Sequence, residues 1–372
     1  MQSIRDFAHS IGVMEFASKV FDSLLAKHRD ELGWPADRIN RNKQLLRLAA
    51  LLHDTGHPPF SHGSEEVVPG GDHEEFSKKV MLADPVGSIL DEFKSSHGID
   101  RNDVAEFFSA ENIDPDIAFL REIFSGEMDA DKLDYLLRDS HYTGVHYGRF
   151  DHERLVRGLC LIPDKNEKFG NYIMAVESGG LHALEGLVLA RYFMFTQVYF
   201  HRVRRAFDHH LVAFLTKNVG RYPEDLDKYL AIDDDFVINL LKDKVATDEH
   251  ANAIINRRPY KEAFTTSEHV TEEERIRFFW LWSELQSKFS GLDKFIDNAE
   301  KAPHKFEKVG TFVLSRSTGE PVLVVNESGI IKNLQNIEQY RIFVPAKYRD
   351  EVRDYCRDFS QNHTTKHLKA MK

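Results

Sequence analysis

The sequence predicts a mainly α-helical protein with a small C-terminal α+β lobe, and two patterns along the chain support that class. Apolar residues recur at helical spacing through much of the first 265 residues. After that point, short β-branched stretches separated by Gly-containing turns replace the helical pattern. We therefore expect two domains, residues 1–265 and residues 266–372.

Three stretches of the first part are predicted to be helical. The leucines of 39–53 lie at helical spacing, and Gly56 and Pro58 end that helix. A second helical pattern covers 116–140. The third stretch, 181–216, is apolar on more than one side, which is typical of a helix at the centre of a domain.

Apolar, β-branched stretches predict the strands. Residues 159–163 and 172–176 flank a turn-like segment and predict a short hairpin. The C-terminal part predicts a meander, one further strand and a closing helix. Their ranges are 311–316, 321–326 and 329–334 for the meander, 340–345 for the strand and 346–359 for the helix.

The composition is that of a folded protein of the reducing cytoplasm. Hydrophobic residues make up 42% of the 372, which argues against disorder over most of the chain. No apolar run reaches the roughly 18 residues of a membrane helix, and the charged start does not look like an export signal. Two cysteines are too few for a disulfide framework. The net charge of −11 argues against unspecific coating of nucleic acid.

A group of histidines marks one segment as a candidate site. Four of the 19 histidines fall between His53 and His73. His53 and Asp54 close an apolar helix, and helix-breaking residues follow at once. At such an end the backbone can turn neighbouring side chains toward one ion, whereas inside a helix they point about 100° apart. Imidazole plus carboxylate suits Fe, Mn, Zn, Ni or Co better than Ca.

A hydrolytic metal site needs more ligands than one pair. His9, near the start of a helix-like stretch, is a candidate third ligand. Asp131, in an acidic run before an apolar helix, is a candidate fourth. Each has a plainer interpretation, as a histidine at a helix start and as an acid that favours the helix dipole. The assignment as ligands depends on the combination.

The combination of His9, His53-Asp54 and Asp131 resembles the H…HD…D signature of the HD-domain phosphohydrolases. The segments LLHDTGHPPFSH, HEEFS and DADKLDYLLRDSHYTG resemble the branch of that family that hydrolyses deoxynucleoside triphosphates (dNTPs) to release triphosphate. INRRPYKEAF and YRIFVP, with the meander before the latter, also resemble that branch. The resemblance covers nearly the whole chain and implies an HD-type metal phosphohydrolase domain in residues 1–265.

The resemblance implies that a metal-activated water attacks the α-phosphate of a dNTP and releases a deoxynucleoside and inorganic triphosphate. A divalent metal would be bound at the HD site, and Mg²⁺ or Mn²⁺ would accompany the nucleotide. The implied metal ligands are His9, His53, Asp54 and Asp131. The implied catalytic residues are His57, His62, His73 and Glu65, with His62 as the acid that protonates the leaving oxygen and Glu65 orienting it.

The resemblance also implies a set of substrate contacts. Lys132 and Arg191 would bind phosphate, for which the planar fork of arginine is well suited. Tyr135 and Tyr199 would pack on the deoxyribose and exclude a 2′-hydroxyl, and Asp139 would accept a hydrogen bond from the 3′-hydroxyl. Taken singly, the arginine has a plainer interpretation as a surface residue and the tyrosines as core residues.

The sequence departs from the family pattern at its start. Residues Ile4 to Asp6 run directly into Phe7, where the family has a further stretch that supplies a phosphate-binding arginine and a sugar-binding glutamine. The stretch is either truly deleted from the protein or is a disordered segment that the sequence as given leaves out. Our hypothesis is the second, because a family-like opening survives before the junction. An intact mass above 43.0 kDa would support it, and a mass of 43.0 kDa would contradict it.

Two alternative functions stay open. The same metal site could act on another nucleotide phosphoester, such as a monophosphate or a cyclic dinucleotide. The chain could also be a regulatory protein that binds nucleotides or single-stranded DNA, which the basic run 202–205 fits, but the charge of −11 speaks against tight binding over the whole surface. The resemblance further implies a homo-oligomer, an activating nucleotide and single-stranded nucleic acid as a weak partner.

Overall fold

The computed structural model describes residues 2–164 and 170–362, with side chains from residue 7 onward. Helices contain 62% of the structure, which confirms the mainly helical class with strands in the C-terminal region. The predicted turn over 164–171 lies largely outside the described residues, and the basic tail 363–372 lies wholly outside them.

Ten helices form within the first 194 residues, in the described part of the chain. They are α1 (Gln2–Leu32), α2 (Ala36–Leu52), α3 (His73–Leu82), α4 (Val86–Asp91), α5 (Lys94–His97), α6 (Arg101–Ser109), α7 (Leu120–Phe124), α8 (Ala130–Thr143), α9 (His152–Gly158) and α10 (Leu181–Met194).

Nine more helices follow among the described residues. They are α11 (Arg202–Asn218), α12 (Leu226–Leu230), α13 (Asp234–Lys244), α14 (Glu249–Ile255), α15 (Glu272–Lys288), α16 (Phe306–Val309), α17 (Val324–Glu327), α18 (Gly329–Asn333) and α19 (Arg349–Asn362). The strands are β1 (Leu159–Pro163), β2 (Tyr172–Val176), β3 (Lys261–Thr265), β4 (Phe295–Lys301), β5 (Phe312–Leu314), β6 (Pro321–Leu323) and β7 (Ile337–Val344).

The chain folds into two compact units that alternate along the sequence. Unit 1 contains Met1–Met194, Tyr222–Asp234 and His304–Leu334. Unit 2 contains Phe195–Arg221, Asp235–Pro303 and Gln335–Lys372. The predicted boundary near residue 265 falls inside unit 2, and the assignment of domains to 1–265 and 266–372 stays a prediction.

Helix α1 organises unit 1, because it packs against α2, α7, α8 and α9. Its buried side chains recur every three or four residues and so form one apolar stripe. They are Val13, Ala17, Val20, Phe21 and Leu24. His9 lies one turn before Val13 on the same stripe, so the packing of α1 directs its ring toward α2 and α8.

The predicted helix 181–216 is wrong as a single element. Helix α10 ends at Met194, a π-helical turn covers Phe195–Tyr199, and α11 begins at Arg202. His201 between them has an extended backbone, and its Nδ1 accepts the N–H of Val203 as an N-cap. The buried character of the first part is confirmed, since side chains on every side of α10 are buried.

The sheet of unit 1 has the strand order β1-β2-β5-β6, with β2 and β5 parallel and the other pairs antiparallel. The predicted hairpin of β1 and β2 is confirmed. The predicted meander is wrong in its second half, because 324–327 and 329–333 are helices α17 and α18. The hydroxyl of Ser328 accepts the N–H of Ile331 and caps α18, so a helix start outweighs the β preference of the neighbouring isoleucines.

Unit 2 is built around an antiparallel sheet of order β3-β7-β4. Helices α15 and α19 contribute Phe278, Leu281, Val352 and Cys356 to its core. Strand β7 and helix α19 correspond to the predicted strand 340–345 and closing helix 346–359. Within residues 2–164 and 170–362, none of the helices is long and apolar enough to cross a membrane.

Candidate metal centre and active site

Helix α2 ends directly at the first two site residues. The His53 Nδ1 lies 2.9 Å from the carbonyl oxygen of Ala50, so this nitrogen carries the proton and Nε2 presents its lone pair to the site. That Nε2 atom is buried and has no hydrogen-bond partner among the described residues. It lies 3.2 Å from Asp54 Oδ1. The end of the helix thus turns both side chains toward one point.

Helices α1 and α8 bring the other two predicted ligands to this point. His9 Nε2 lies 3.2 Å from Asp131 Oδ1 and 3.5 Å from Asp54 Oδ2. One nitrogen or oxygen from each of His9, His53, Asp54 and Asp131 lies within 4.8 Å of the other three. Two imidazoles and two carboxylates, one of the imidazoles with a buried nitrogen that lacks a hydrogen-bond partner among the described residues, form a donor set that fits a divalent metal.

The charges of this group favour a cation. Burial lowers the pKa of His9, but the hydrogen bonds that its ring donates to Asp131, Asp134 and Asp54 raise it to about 12. Burial also lowers the pKa of His53, and the negative charges of the adjacent Asp54 and Asp131 raise it to about 10. Protons on these rings therefore compensate the two carboxylates, and a metal ion supplies the same compensation in their place.

A second histidine group lies beside the metal centre and shares Asp54 with it. Asp54 Oδ1 lies 3.6 Å from His57 Nε2 and 4.0 Å from His73 Nε2. On the far side, Glu65 Oε1 lies 2.8 Å from His62 Nδ1, 2.9 Å from His73 Nδ1 and 3.6 Å from His57 Nδ1. The structure thus brings together all four residues predicted as catalytic.

The histidines of this group differ in charge and exposure. Burial, with repulsion from His73 and His62, lowers the pKa of His57 to about 4, so this ring is neutral near pH 7. Burial also lowers the pKa of His73, but the hydrogen bond and charge of Glu65 raise it overall. The side chain of His62 is 68% exposed. The group therefore offers a neutral ring near the metal centre and an exposed, carboxylate-bonded ring at its edge.

The loop that carries these histidines has an unusual backbone. Phe60 and Ser61 have φ angles of 63° and 48°, in the left-handed region that side-chain-bearing residues rarely adopt. The N–H of Phe60 donates to Asp234 Oδ1 at 2.9 Å. A Cβ at Gly56 would lie 2.2 Å from the backbone nitrogen of Ser77, so only glycine fits there.

The predicted phosphate ligands lie in the interior of unit 1. The Lys132 Nζ donates to the Gly126 carbonyl at 2.6 Å and to Asp129 Oδ2 at 2.8 Å. Arg191 is only 7% exposed, so its plainer interpretation as a surface residue is wrong. Burial raises the pKa of Tyr135 to about 12, and the positive charges of Arg191 and Lys132 oppose this rise.

The remaining two predicted contacts are Asp139 and Tyr199. Asp139 lies on α8, one turn before the helix ends, and its carbonyl accepts the Thr143 hydroxyl. Tyr199 belongs to unit 2, where its carbonyl accepts from Arg204 Nη1 at 2.8 Å. Their roles toward a sugar stay predictions.

The sequence analysis did not identify two further carboxylates, Asp129 directly before α8 and Asp134 on α8. Asp129 caps α8 and binds Lys132. Asp134 lies 2.7 Å from His9 through its Oδ2. The spacing of Asp134 from Asp131 was a signal, since residues three apart on a helix share a face.

Two family matches cover most of the chain. The HD domain matches residues 6–139, which include all eight residues of the metal centre and histidine group. The HD associated region matches residues 150–279.

Both an uncharacterized protein and a protein with a named activity are similar to this chain. The uncharacterized protein YwfO of Bacillus subtilis is 29% identical over 94% of this chain and 80% of its own length. A protein of Dictyostelium discoideum named deoxynucleoside triphosphate triphosphohydrolase SAMHD1 homolog is 26% identical over 73% of this chain. The alignment covers 52% of that protein, so this chain spans about half of its length.

Solved structures show the same fold. A hypothetical protein from Aquifex aeolicus is 30% identical, with a TM-score of 0.76 over 94% of this chain and 85% of its own. A phosphohydrolase from Bacteroides thetaiotaomicron is 22% identical, with a TM-score of 0.66 over 90% of this chain and 86% of its own, and shares the fold. The HD domain and the HD associated region together match most of this chain, which belongs to the HD-domain family.

Proposed function

We propose that this protein hydrolyses dNTPs to a deoxynucleoside and inorganic triphosphate in a metal-dependent reaction. The observation that carries the proposal is the shared carboxylate of Asp54, which joins a four-residue metal centre to a group of three histidines and Glu65. A metal centre with acid–base groups directly beside it is suited to hydrolysis of a phosphoester.

The metal would be held by His9, His53, Asp54 and Asp131, whose donor atoms fit a divalent transition metal such as Fe, Mn, Zn, Ni or Co. When bound, such an ion lowers the pKa of a coordinated water and polarises a phosphoryl oxygen. A second divalent ion, Mg²⁺ or Mn²⁺, would enter with the nucleotide.

The histidine group supplies the proton chemistry of the proposal. His62 is exposed, and its Nδ1 bonds to Glu65, so its Nε2 is the atom that protonates the leaving 5′ oxygen. His73 also bonds to Glu65, which favours its charged form beside the phosphate. His57 stays neutral and can accept or donate a hydrogen bond next to Asp54.

Substrate recognition in the proposal uses the contacts that the family resemblance implies. Lys132 and Arg191 would bind the phosphates through their positive charges, Arg191 also through its planar fork. Tyr135 and Tyr199 would select the deoxyribose, and Asp139 would bind the 3′-hydroxyl. The activity in the name of the Dictyostelium relative supports a dNTP as the substrate.

The partners follow from the same relatives and resemblance. We propose a homo-oligomer of the cytoplasm that an additional nucleotide activates and that binds single-stranded nucleic acid weakly. The proposal includes no membrane partner.

The test is a substrate panel with matched variants. The protein is incubated with each dNTP, each NTP and a mixture of dNTPs, with Mg²⁺ or Mn²⁺, and the products are separated. We expect deoxynucleoside and triphosphate from dNTPs, and loss of both products in Asp54→Asn. The control is Asp22→Asn, because Asp22 is an exposed carboxylate of α1 that pairs with Lys43.

Other products would redirect the assignment. Hydrolysis of a monophosphate or a cyclic dinucleotide by the same metal-loaded protein, without triphosphate from any dNTP, would contradict the proposed substrate. Nucleotide binding without turnover would favour a regulatory protein.

A further inference from the structure

The ring of His9 has two different partners, one on each nitrogen. Nε2 faces the metal centre, 3.2 Å from Asp131 Oδ1. Nδ1 faces the other way and lies 2.7 Å from Asp134 Oδ2. Because an ionised carboxylate only accepts hydrogen bonds, Nδ1 carries the proton of this contact. The lone pair of the neutral ring is then on Nε2, the nitrogen aimed at the centre.

Asp134 is itself held by a fork of hydrogen bonds. The guanidinium of Arg138, one turn later on α8, donates from Nε to Oδ2 at 2.7 Å and from Nη2 to Oδ1 at 2.9 Å. The same Nη2 donates to the carbonyl oxygen of Ala8 at 2.8 Å, next to His9 in the chain. Asp134 is only 5% exposed, so this pair holds an otherwise costly buried charge.

The backbone of α1 is shaped for this contact. A Cβ at Gly12 would lie 1.9 Å from Asp134 Oδ1 and 2.8 Å from Arg138 Nη2. Gly12 follows His9 by about one turn of α1, so a larger residue would push α8 away from the metal ligand. The missing side chain at Gly12 lets the carboxylate reach the ring.

We propose that Asp134 is a positioning residue that fixes the tautomer and orientation of His9 for metal binding, with Arg138 and Gly12 holding Asp134 in place. Asp134 acts through His9 and touches neither the metal nor the substrate. Such partners typically change metal affinity by about 10- to 100-fold. The inference rests on the proposed metal centre but not on the identity of the substrate.

A purely structural role predicts different behaviour. If Asp134 and Arg138 only joined two turns of α8 and the start of α1, their loss would lower the thermal stability of the metal-free protein and leave metal affinity unchanged. A positioning role predicts weaker metal binding even in variants whose metal-free form unfolds at the same temperature as the wild type.

The experiment measures the Kd for Mn²⁺ by titration calorimetry on chelator-treated full-length protein. Asp134→Asn keeps the shape of the side chain but can present an amide N–H₂ to Nδ1, which moves the ring proton to Nε2. We expect its Kd to rise by about 10- to 100-fold. Asp22→Asn makes the same chemical change at an exposed carboxylate of α1 and should leave the Kd unchanged.

A second variant covers the case in which Asp134→Asn does not fold. Arg138→Lys keeps the positive charge but loses the fork, so we expect a smaller rise of the Mn²⁺ Kd in the same direction. Unchanged Mn²⁺ affinity in a folded Asp134→Asn or Arg138→Lys protein would overturn the inference and leave the proposed function intact. Absence of Mn²⁺ binding by the wild type would instead contradict the metal centre.

Discussion

The rings of His57 and His73 stack face to face, with centroids 3.7 Å apart and planes inclined by 18°. Two stacked imidazoles cannot both carry a charge without strong repulsion, and the hydrogen bond of Glu65 to His73 decides which one does. The pKa of His73 is raised, and that of His57 is lowered to about 4. Of the two rings beside Asp54, His73 therefore binds a proton more readily than His57.

Replacing Glu65 by Gln should remove this asymmetry. The carboxylate raises the pKa of His73, so its loss lowers that pKa. In the wild type, activity that requires protonated His73 is lost as pH rises through the pKa of His73. Because this pKa is lower in Glu65→Gln, the basic limb of the pH–rate profile of the variant should move to lower pH. We also expect kcat/KM near neutral pH to fall by about 10²-fold. A pH–rate profile with an unmoved basic limb would contradict this role.

Substitution of Gly56 by Ala should destabilise the protein by about 1–3 kcal/mol, because the new Cβ would overlap backbone atoms of α3. It would lie 2.2 Å from Ser77 N and 2.3 Å from the carbonyl oxygen of His73. The measurement is urea unfolding. Gly329→Ala in the same unit is the control, since its Cβ would meet nothing within 4 Å. Equal unfolding free energies for the two variants would refute the prediction.

Removal of the Asp234 side chain should loosen the loop that carries His62. Asp234 accepts the N–H of Phe60, one of two adjacent residues with a left-handed backbone. We expect Asp234→Ala to lower the unfolding free energy by about 1–2 kcal/mol and kcat by up to about 10²-fold. Mn²⁺ affinity should not change, because Asp234 contacts no metal ligand in the described structure.

The neighbouring Asp235→Ala is the matched control, since the side chain of Asp235 is exposed. A loss of kcat equal to that of Asp234→Ala would show that the charge at this helix start, and not the hydrogen bond to the loop, matters.

Unit 2 should lose stability as pH falls, because it contains a histidine that is buried in its neutral form. The Nε2 of His210 accepts the N–H of Tyr260 at 3.1 Å, and its Nδ1 lies 2.9 Å from His250 Nδ1. Burial and the nearby His250 and His209 lower the pKa of His210 to about 3.

In the unfolded chain the ring of His210 binds a proton near pH 6.5, whereas in the folded protein it does not. The stabilisation that depends on neutral His210 is therefore complete above pH 6.5. It declines by up to about 1.4 kcal/mol per pH unit as pH falls below it. Denaturant unfolding between pH 7.5 and 4.5 tests this, and His210→Gln should flatten the dependence. An equally steep dependence in the variant would contradict the assignment.

Much of the site was predictable from local sequence. An apolar helix that stops at His53-Asp54 before Gly56 already placed two ligands at a helix end, where both can face one ion. His9 and Asp131 lie on other helices, and only the family resemblance pointed to them as partners of this pair. Their approach depends on how α1 and α8 pack against α2, and that packing is not a property of any single segment.

Each error of the prediction has its own physical cause. Residues 329–334 look like a strand because of their isoleucines, but the capping hydroxyl of Ser328 starts a helix there. Residues 181–216 look like one helix because nothing in their composition marks the break, yet the chain is extended at His201. Asp134 was not singled out because its contact requires the missing side chain of Gly12 on another helix.

The central claim is that water attacks the α-phosphorus of a dNTP and that the bond to the 5′ oxygen breaks. The most direct measurement is hydrolysis of a dNTP in ¹⁸O-labelled water by the metal-loaded protein, with both products analysed by mass spectrometry. We expect one ¹⁸O atom in the inorganic triphosphate and none in the deoxynucleoside. Label in the deoxynucleoside, or release of monophosphate or pyrophosphate in place of triphosphate, would contradict it.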